Sequence, residues 1–153
     1  MQFSYSFNCS AEEIFEALTD PNSIVKKCIE NGALKADCVS DEENLPFLKI
    51  TRTEAAELPA LMKKIVGDEQ TVETEEQWSE TEESYESTSN SVVVGTPIKI
   101  IASQSLYNTE DGGRIDVELT VKAAIPLVGK KVEPIVATKI RTEMLNEFAY
   151  IDS

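Results

Sequence analysis

From Ala33 onward the apolar residues stop recurring at helical intervals and alternate instead, and the alternation persists until close to Ala124. A period of two commits a chain to extended strands with one apolar and one wet face. The alternation predicts strands near 34–40, 46–55, 69–78, 84–94, 98–108 and 114–124. The last two are the clearest. Ile98, Ile100, Ala102 and Leu106 share one face, and Ile115, Val117, Leu119, Val121 and Ala123 share another, backed by Asp116, Glu118, Thr120 and Lys122. Glu110-Asp111-Gly112-Gly113 marks a hairpin turn, because Asp-Gly supplies the positive φ that twisted hairpins need. Gly95-Thr96-Pro97 breaks the chain between two other strands. Leu58 to Gly67 reads as a short helical crossover closed by the glycine.

Ahead of this region, Phe3, Tyr5 and Phe7 alternate with polar residues and predict one more strand over 2–8. Ser10-Ala11-Glu12-Glu13 is a capping-box pattern that opens a short helix with Ile14, Phe15 and Leu18 as its stripe. Asp20-Pro21 restarts the chain with an N-cap and a first-turn proline. Ile24, Val25, Cys28 and Ile29 form the second stripe, and Asn31-Gly32 closes it. The tail is one long helix. Val132, Val136, Ile140 and Met144 step by four, and Lys131, Lys139, Arg141, Glu143 and Glu147 are expected mostly to face out. Pro134 would leave the carbonyl of Lys130 unpaired, so a start or a kink is expected there, with Pro126 to Gly129 as a separate first turn. No internal repeat or domain boundary interrupts residues 1–153, which read as one domain of ordinary size.

Composition removes whole classes of chemistry. The chain has 14 Lys and Arg, 28 Asp and Glu, a net charge of −14 and no histidine. There is therefore no Ser-His-Asp triad, no Cys-His pair and no His-ligated zinc. Cys9, Cys28 and Cys38 are odd in number and form no C-x-x-C, which reads as three reduced, mostly buried thiols in a cytoplasmic protein. Cys28, after Lys26-Lys27, is the one best placed to become a thiolate. The acidity disfavours nucleic acid and anionic membrane surfaces. No window approaches the roughly 18 apolar residues that membrane insertion as a span requires. The opening residues lack a basic segment and predict no signal peptide. No catalytic set, metal site or cofactor motif emerges.

The order of strand, two short helices, six antiparallel strands and one long C-terminal helix resembles that of the START-like, birch-pollen-allergen-like (SRPBCC) superfamily. Phe3-Ser4-Tyr5-Ser6-Phe7 with Ser10 to Pro21 looks like the opening of many such domains. Thr51-Arg52-Thr53, Leu58-Pro59-Ala60-Leu61 and Ile125 to Glu133 look similar to a small branch classed as a domain of unknown function. The resemblance covers the whole chain. It implies an α+β helix-grip fold, β-α-α-β6-α, in which a curved antiparallel sheet of about seven strands wraps the C-terminal helix around an apolar cavity. It implies binding of a hydrophobic small molecule or lipid; a few relatives are cyclases, and some are assembly or maturation factors.

Strand parity then nominates a site. The even-numbered face of 46–55 and 69–78 carries Leu48, Ile50, Arg52, Val72, Thr74, Glu76 and Trp78, and the next strand presents Tyr85, Ser87, Ser89, Ser91 and Val93 if Tyr85 points in. Three serines where a packed core would use Val or Leu leave open space under the helix. The expected ligand-binding residues are Arg52, Glu76, Trp78, Tyr85, Ile100, Gln104, Leu119, Val136 and Ile140. Buried charges must be paired, so either Arg52 pairs with Glu76 or it awaits an anionic head group. A cyclase or hydratase using this cavity would draw its acid or base from Glu76, Tyr85 or Cys38. Between Ile65 and Ile98 there is no Lys or Arg while acids accumulate from Asp68 to Glu86. This reads as a solvated hairpin face, or as a docking surface for a basic protein partner.

Overall fold

The computed structural model describes residues 1–41, 46–56 and 67–153. The chain runs β1 (Gln2–Ser6), α1 (Ala11–Thr19), α2 (Pro21–Glu30), β2 (Lys35–Asp41), β3 (Phe47–Ala55), β4 (Glu69–Glu80), β5 (Tyr85–Val93), β6 (Ile98–Thr109), β7 (Gly112–Ala123) and α3 (Gly129–Asp152). The strands form one seven-stranded sheet in the order β1-β7-β6-β5-β4-β3-β2. Every pairing is antiparallel. This is the helix-grip architecture that the order of elements implied. The proposed crossover helix at 58–67 falls almost wholly outside the described residues.

The local chemistry accounts for where elements start and stop. Ser10 Oγ accepts from the Glu13 amide at 3.2 Å, and Asp20 Oδ2 accepts from the Ser23 amide at 2.9 Å, so each short helix has a donor satisfied at its N-terminus. Between β6 and β7 the turn occupies Glu110 and Asp111, and Gly112 takes φ 141°. A Cβ on Gly112 would collide with the carbonyl of Phe7, so the glycine also lets β7 lie against the end of β1. Phe7 N donates to Gly113 O, and Gly113 N donates to Cys9 O, each at 2.7 Å.

Of the two alternatives at Pro134, a start there is not the one taken. It starts at Gly129 and carries Pro134 inside it. Lys130 and Pro134 are both exposed, so water can reach the carbonyl that the proline leaves without a donor. The turn before it is tight. Leu127 has φ 71°, and Gly129 N donates to Ile125 O at 2.9 Å. A Cβ on Gly129 would strike the Ala123 carbonyl, so the glycine lets α3 leave directly from the end of β7.

The core lies between the sheet's inner face and α3. From the helix it takes Val132, Val136, Ala137, Ile140 and Phe148, and from the strands Leu48, Val72, Trp78, Ile98, Leu106, Ile115, Val117 and Leu119. Tyr5 on β1 and Phe7 just after it meet Phe148 with ring centroids 6.0 and 5.8 Å away. Asp152, at the helix end, accepts from Asn8 N at 2.8 Å and Asn8 Nδ2 at 3.1 Å, which ties the last turn to the N-terminal strand. Among the described residues no helix is long and apolar enough to cross a membrane.

Candidate functional site

Parity along β3, β4, β5 and β6 sends Ile50, Arg52, Val72, Thr74, Glu76, Trp78, Ser89, Ser91, Ile100, Ala102 and Gln104 into a cavity of about 100 Å³ under α3. Leu18 of α1, Ile24, Lys27 and Cys28 of α2, and Ile140, Met144, Glu147 and Phe148 of α3 close it. The space exists because small side chains sit at Ser89, Ser91 and Ala102, where Val or Leu would fill it. Thr74 Oγ1 and Ser91 Oγ satisfy each other at 2.8 Å. A more open depression of about 690 Å³ crosses β1, β7, β6 and β5, and its charged side chains are the Arg114–Asp116 pair together with the acids Glu86 and Glu118. There Arg114 Nε donates to Asp116 Oδ1 at 3.0 Å and Tyr107 OH donates to Asp116 Oδ2 at 2.7 Å. The inner cavity, apolar with a few convergent polar groups, is therefore the candidate site.

Of the residues expected there, Arg52, Glu76, Trp78, Ile100, Gln104, Leu119 and Ile140 line the cavity. Tyr85 does not. It has the inward parity, but it lies near the strand's start, where Phe15 of α1 stacks on it with centroids 4.1 Å apart. Val136 does not either: it is buried in the core beside the cavity, and the helix wall is formed further along by Ile140, Met144, Glu147 and Phe148.

The expected Arg52–Glu76 pair does not form. The register sets Arg52 opposite Val72 and Glu76 opposite Leu48. That is four residues along the sheet, about 13 Å at about 3.3 Å per residue. Arg52 Nη1 instead donates to Glu147 Oε1 at 3.0 Å, and its Nη2 lies 3.9 Å from Glu143 Oε2. Burial works against the Arg52 charge, and Glu147 and Glu54 outweigh it, holding the guanidinium above its ordinary value. The network extends through Lys27 to Glu147 at 3.8 Å, Lys139 to Glu143 at 2.7 Å and Lys139 to Glu54 at 3.4 Å. Gln70 Nε2 donates to Glu54 Oε1 at 2.7 Å.

Glu147 is the functional-site residue that sequence reasoning missed. Expected to face out, it is only 8% exposed. Its neighbours Lys139 and Glu143 are also partly buried. The signal was present in the spacing: Glu147 stands seven residues after Ile140 and three after Met144, on the stripe itself.

Glu76 is held differently. Trp78 Nε1 donates to its Oε2 at 3.1 Å and Gln104 Nε2 donates to its Oε1 at 3.1 Å, while Gln104 Nε2 also reaches Ser87 Oγ at 3.0 Å. Its accessible surface fronts the cavity. Burial pushes the Glu76 carboxyl above its ordinary value, against the opposing pull of Lys27 and the two donors. The thiols are poor nucleophiles. Burial raises Cys28, and burial together with Asp37 pushes Cys38 up to about 11. Of the two readings of the thiols this favours the reduced, buried one, and the minor reading of Cys28 as a thiolate gains no support. All three cysteines are free. Among the described residues no cluster of Cys, Asp or Glu could hold a metal ion. On the wet face, Glu69, Glu73 and Glu75 are exposed as expected, and Glu80, Glu82 and Glu83 are exposed at the end of β4 and in the turn after it.

Residues 2–153 match a family model described as "Protein of unknown function (DUF2505)". None of the curated proteins matches. Solved structures agree over nearly the full length. A START superfamily protein from Mycobacterium smegmatis has a TM-score of 0.61 at 15% identity, covering 99% of this chain and 92% of that one. Ara h 8.0201 has a TM-score of 0.59 at 16% identity, covering 99% and 95%. A Thalictrum norcoclaurine synthase point mutant, in complex with a transition-state analogue, has a TM-score of 0.57 at 16% identity, covering 99% and 91%. At such identities the likeness speaks to the fold.

Proposed function

We propose that this chain, which belongs to the DUF2505 family, binds a small, largely apolar molecule between its sheet and its C-terminal helix. The observation that carries the reading is the cavity itself. It is walled by Ile50, Val72, Trp78, Ile100, Leu119 and Ile140, and is left empty by serines and an alanine. A fold kept only for stability gains by filling such space, since unfilled volume costs packing energy. At about 100 Å³, the volume favours something near the size of benzene, which an apolar cavity of about 150 Å³ accepts. A sterol or an intact long acyl chain is too large for it.

The test is a thermal-shift and Trp78-fluorescence titration with benzene, cyclopentane, cyclopentanol and indole beside long-chain fatty acids and sterols. Binding of the small probes, lost when Ser91→Leu fills the space, supports the reading. No response from any probe, with Ser91→Leu raising stability, overturns it.

One observation favours a second reading, an enzyme of the cyclase or hydratase type. Glu76 is a half-buried acid whose pKa is raised and which fronts the cavity, as a general acid requires. Turnover of a small unsaturated substrate, abolished by Glu76→Gln in a folded protein, would establish it. The exposed acidic hairpin β4–β5 leaves a basic protein partner as a third reading, tested by salt-sensitive capture of a purified basic protein.

A further inference from the structure

Resting on the reading that the cavity takes a ligand, we infer that the ligand carries a protonated amine, with the Glu76 carboxylate as its counter-ion. The charges around the cavity carry the argument. Among the described residues, Lys27, Arg52 and Lys139 are matched against Glu147, Glu143 and Glu54 by ion pairs within 4 Å. Glu76 is the acid left over. It has no cation within ion-pair distance among those residues, and its two hydrogen bonds come from neutral donors. A carboxylate oxygen has two lone pairs, so each Glu76 oxygen keeps one for the cavity side.

Gln104 adds to the same bias. Its amide nitrogen is spent on Glu76 and Ser87, which leaves its Oε1 as a further acceptor at that wall. The unmet capacity beside Glu76 therefore accepts hydrogen bonds, and a donor completes it. A neutral hydroxyl would supply a donor but not the missing charge. An anion is disfavoured, because Arg52 is already held by Glu147 and Glu143, and to free it would strand buried carboxylates. The net charge of −14 also draws small cations toward the molecule.

Lys27 from α2 and Glu147 from α3 bear on the titration of Glu76, Cys38 of β2 is coupled to it, and Arg52 of β3 faces the same cavity. An ammonium pairs with the ionised carboxylate, so binding favours that form and any proton Glu76 holds is released as the amine enters.

Cyclopentylamine, cyclopentanol, cyclopentane and cyclobutanecarboxylate are close in size and differ in charge or polarity. Affinities are read by NMR titration at the Trp78 indole N–H, which touches the Glu76 carboxylate directly. The amine should bind about ten-fold or more tighter than the alcohol, the worth of one charge-assisted hydrogen bond. That preference should vanish in Glu76→Gln while cyclopentanol still binds. Should Glu76→Gln fail to fold, the wild type decides: amine affinity should rise as pH climbs above about 4.5 and Glu76 ionises. An amine that binds no tighter than the alcohol overturns the inference and leaves the cavity reading standing. The same holds for amine affinity that is flat or falling with pH. Silence from every probe overturns both.

Discussion

Arg52 and Glu76 are both ionisable side chains turned into the same cavity, and their different partners give them different consequences. Arg52 is wedged between Glu147 and Glu143, with a side chain 19% exposed. Removing one member of a buried pair costs about 3–5 kcal/mol, because the partner charge is left unanswered. Arg52→Met should therefore lose stability at the lower end, about 3 kcal/mol, since Lys27 still stands 3.8 Å from Glu147. Arg52→Met with Glu147→Leu should recover much of it, and urea unfolding of the single and double variants measures the coupling. A double variant as weak as the single would mean that Arg52 acts by packing alone. For Glu76 the sign is opposite to that of a salt-bridged acid. Its folded pKa lies above the ordinary 4.5, so the native state holds a proton that the unfolded chain releases. The stability this contributes is full below about pH 4.5 and is lost as pH rises through the folded value. The wild type minus Glu76→Gln stability difference, followed by urea unfolding across pH, should fall in that window. A difference that grows with pH would refute the assignment.

At the scale of elements, the corner from β7 into α3 concentrates the constraints. Leu127 holds φ 71° while fully exposed, so its left-handed backbone is bought with no side-chain burial. Leu127→Gly should stabilise by about 1 kcal/mol, the lower part of the left-handed penalty for an L-residue. Gly129 requires the reverse. A Cβ there meets the Ala123 carbonyl, and Gly129→Ala should cost about 1–3 kcal/mol, as overpacking does. Denaturant midpoints decide both, and a destabilised Leu127→Gly would show the turn's shape to be imposed by something other than backbone preference. The strands were legible in sequence to within a few residues because alternation is unambiguous over their length. Helix α3 was less so. Charge on Glu147 outweighed its position in the stripe, and Pro134 suggested a later start than an exposed first turn requires.

For the whole molecule, charge sets the dominant long-range term. A net −14 spread over the outer surface repels itself, and the buried ion network is shielded from salt. Raising ionic strength from about 0.01 to 0.15 M shortens the screening length from about 30 to about 8 Å. The melting temperature should rise over that interval. A fall would mean that favourable exposed pairs outweigh the repulsion, which the short run of surface bridges such as Arg114–Asp116 makes difficult. The acids of β4 and β5 also show how one stretch serves two environments: Glu73 and Glu75 meet water, while Glu76, next in line, fronts the cavity.

Which residues share a face was written in the sequence, because side chains on a strand alternate without exception and a shift of one residue would have turned a polar face into the core. Hence Arg52, Glu76, Trp78 and Gln104 could be assigned inward before any coordinates. Which of them touch was not written there. Contact depends on the stagger between neighbouring strands and on where α3 crosses the sheet. The second is set by the close packing of Gly129 on Ala123 at the corner and of Phe148 on Tyr5 and Phe7, residues at opposite ends of the chain. Only that tertiary placement brought Glu147 to Arg52, left Glu76 beside open space, and moved Tyr85 under Phe15 and out of the cavity.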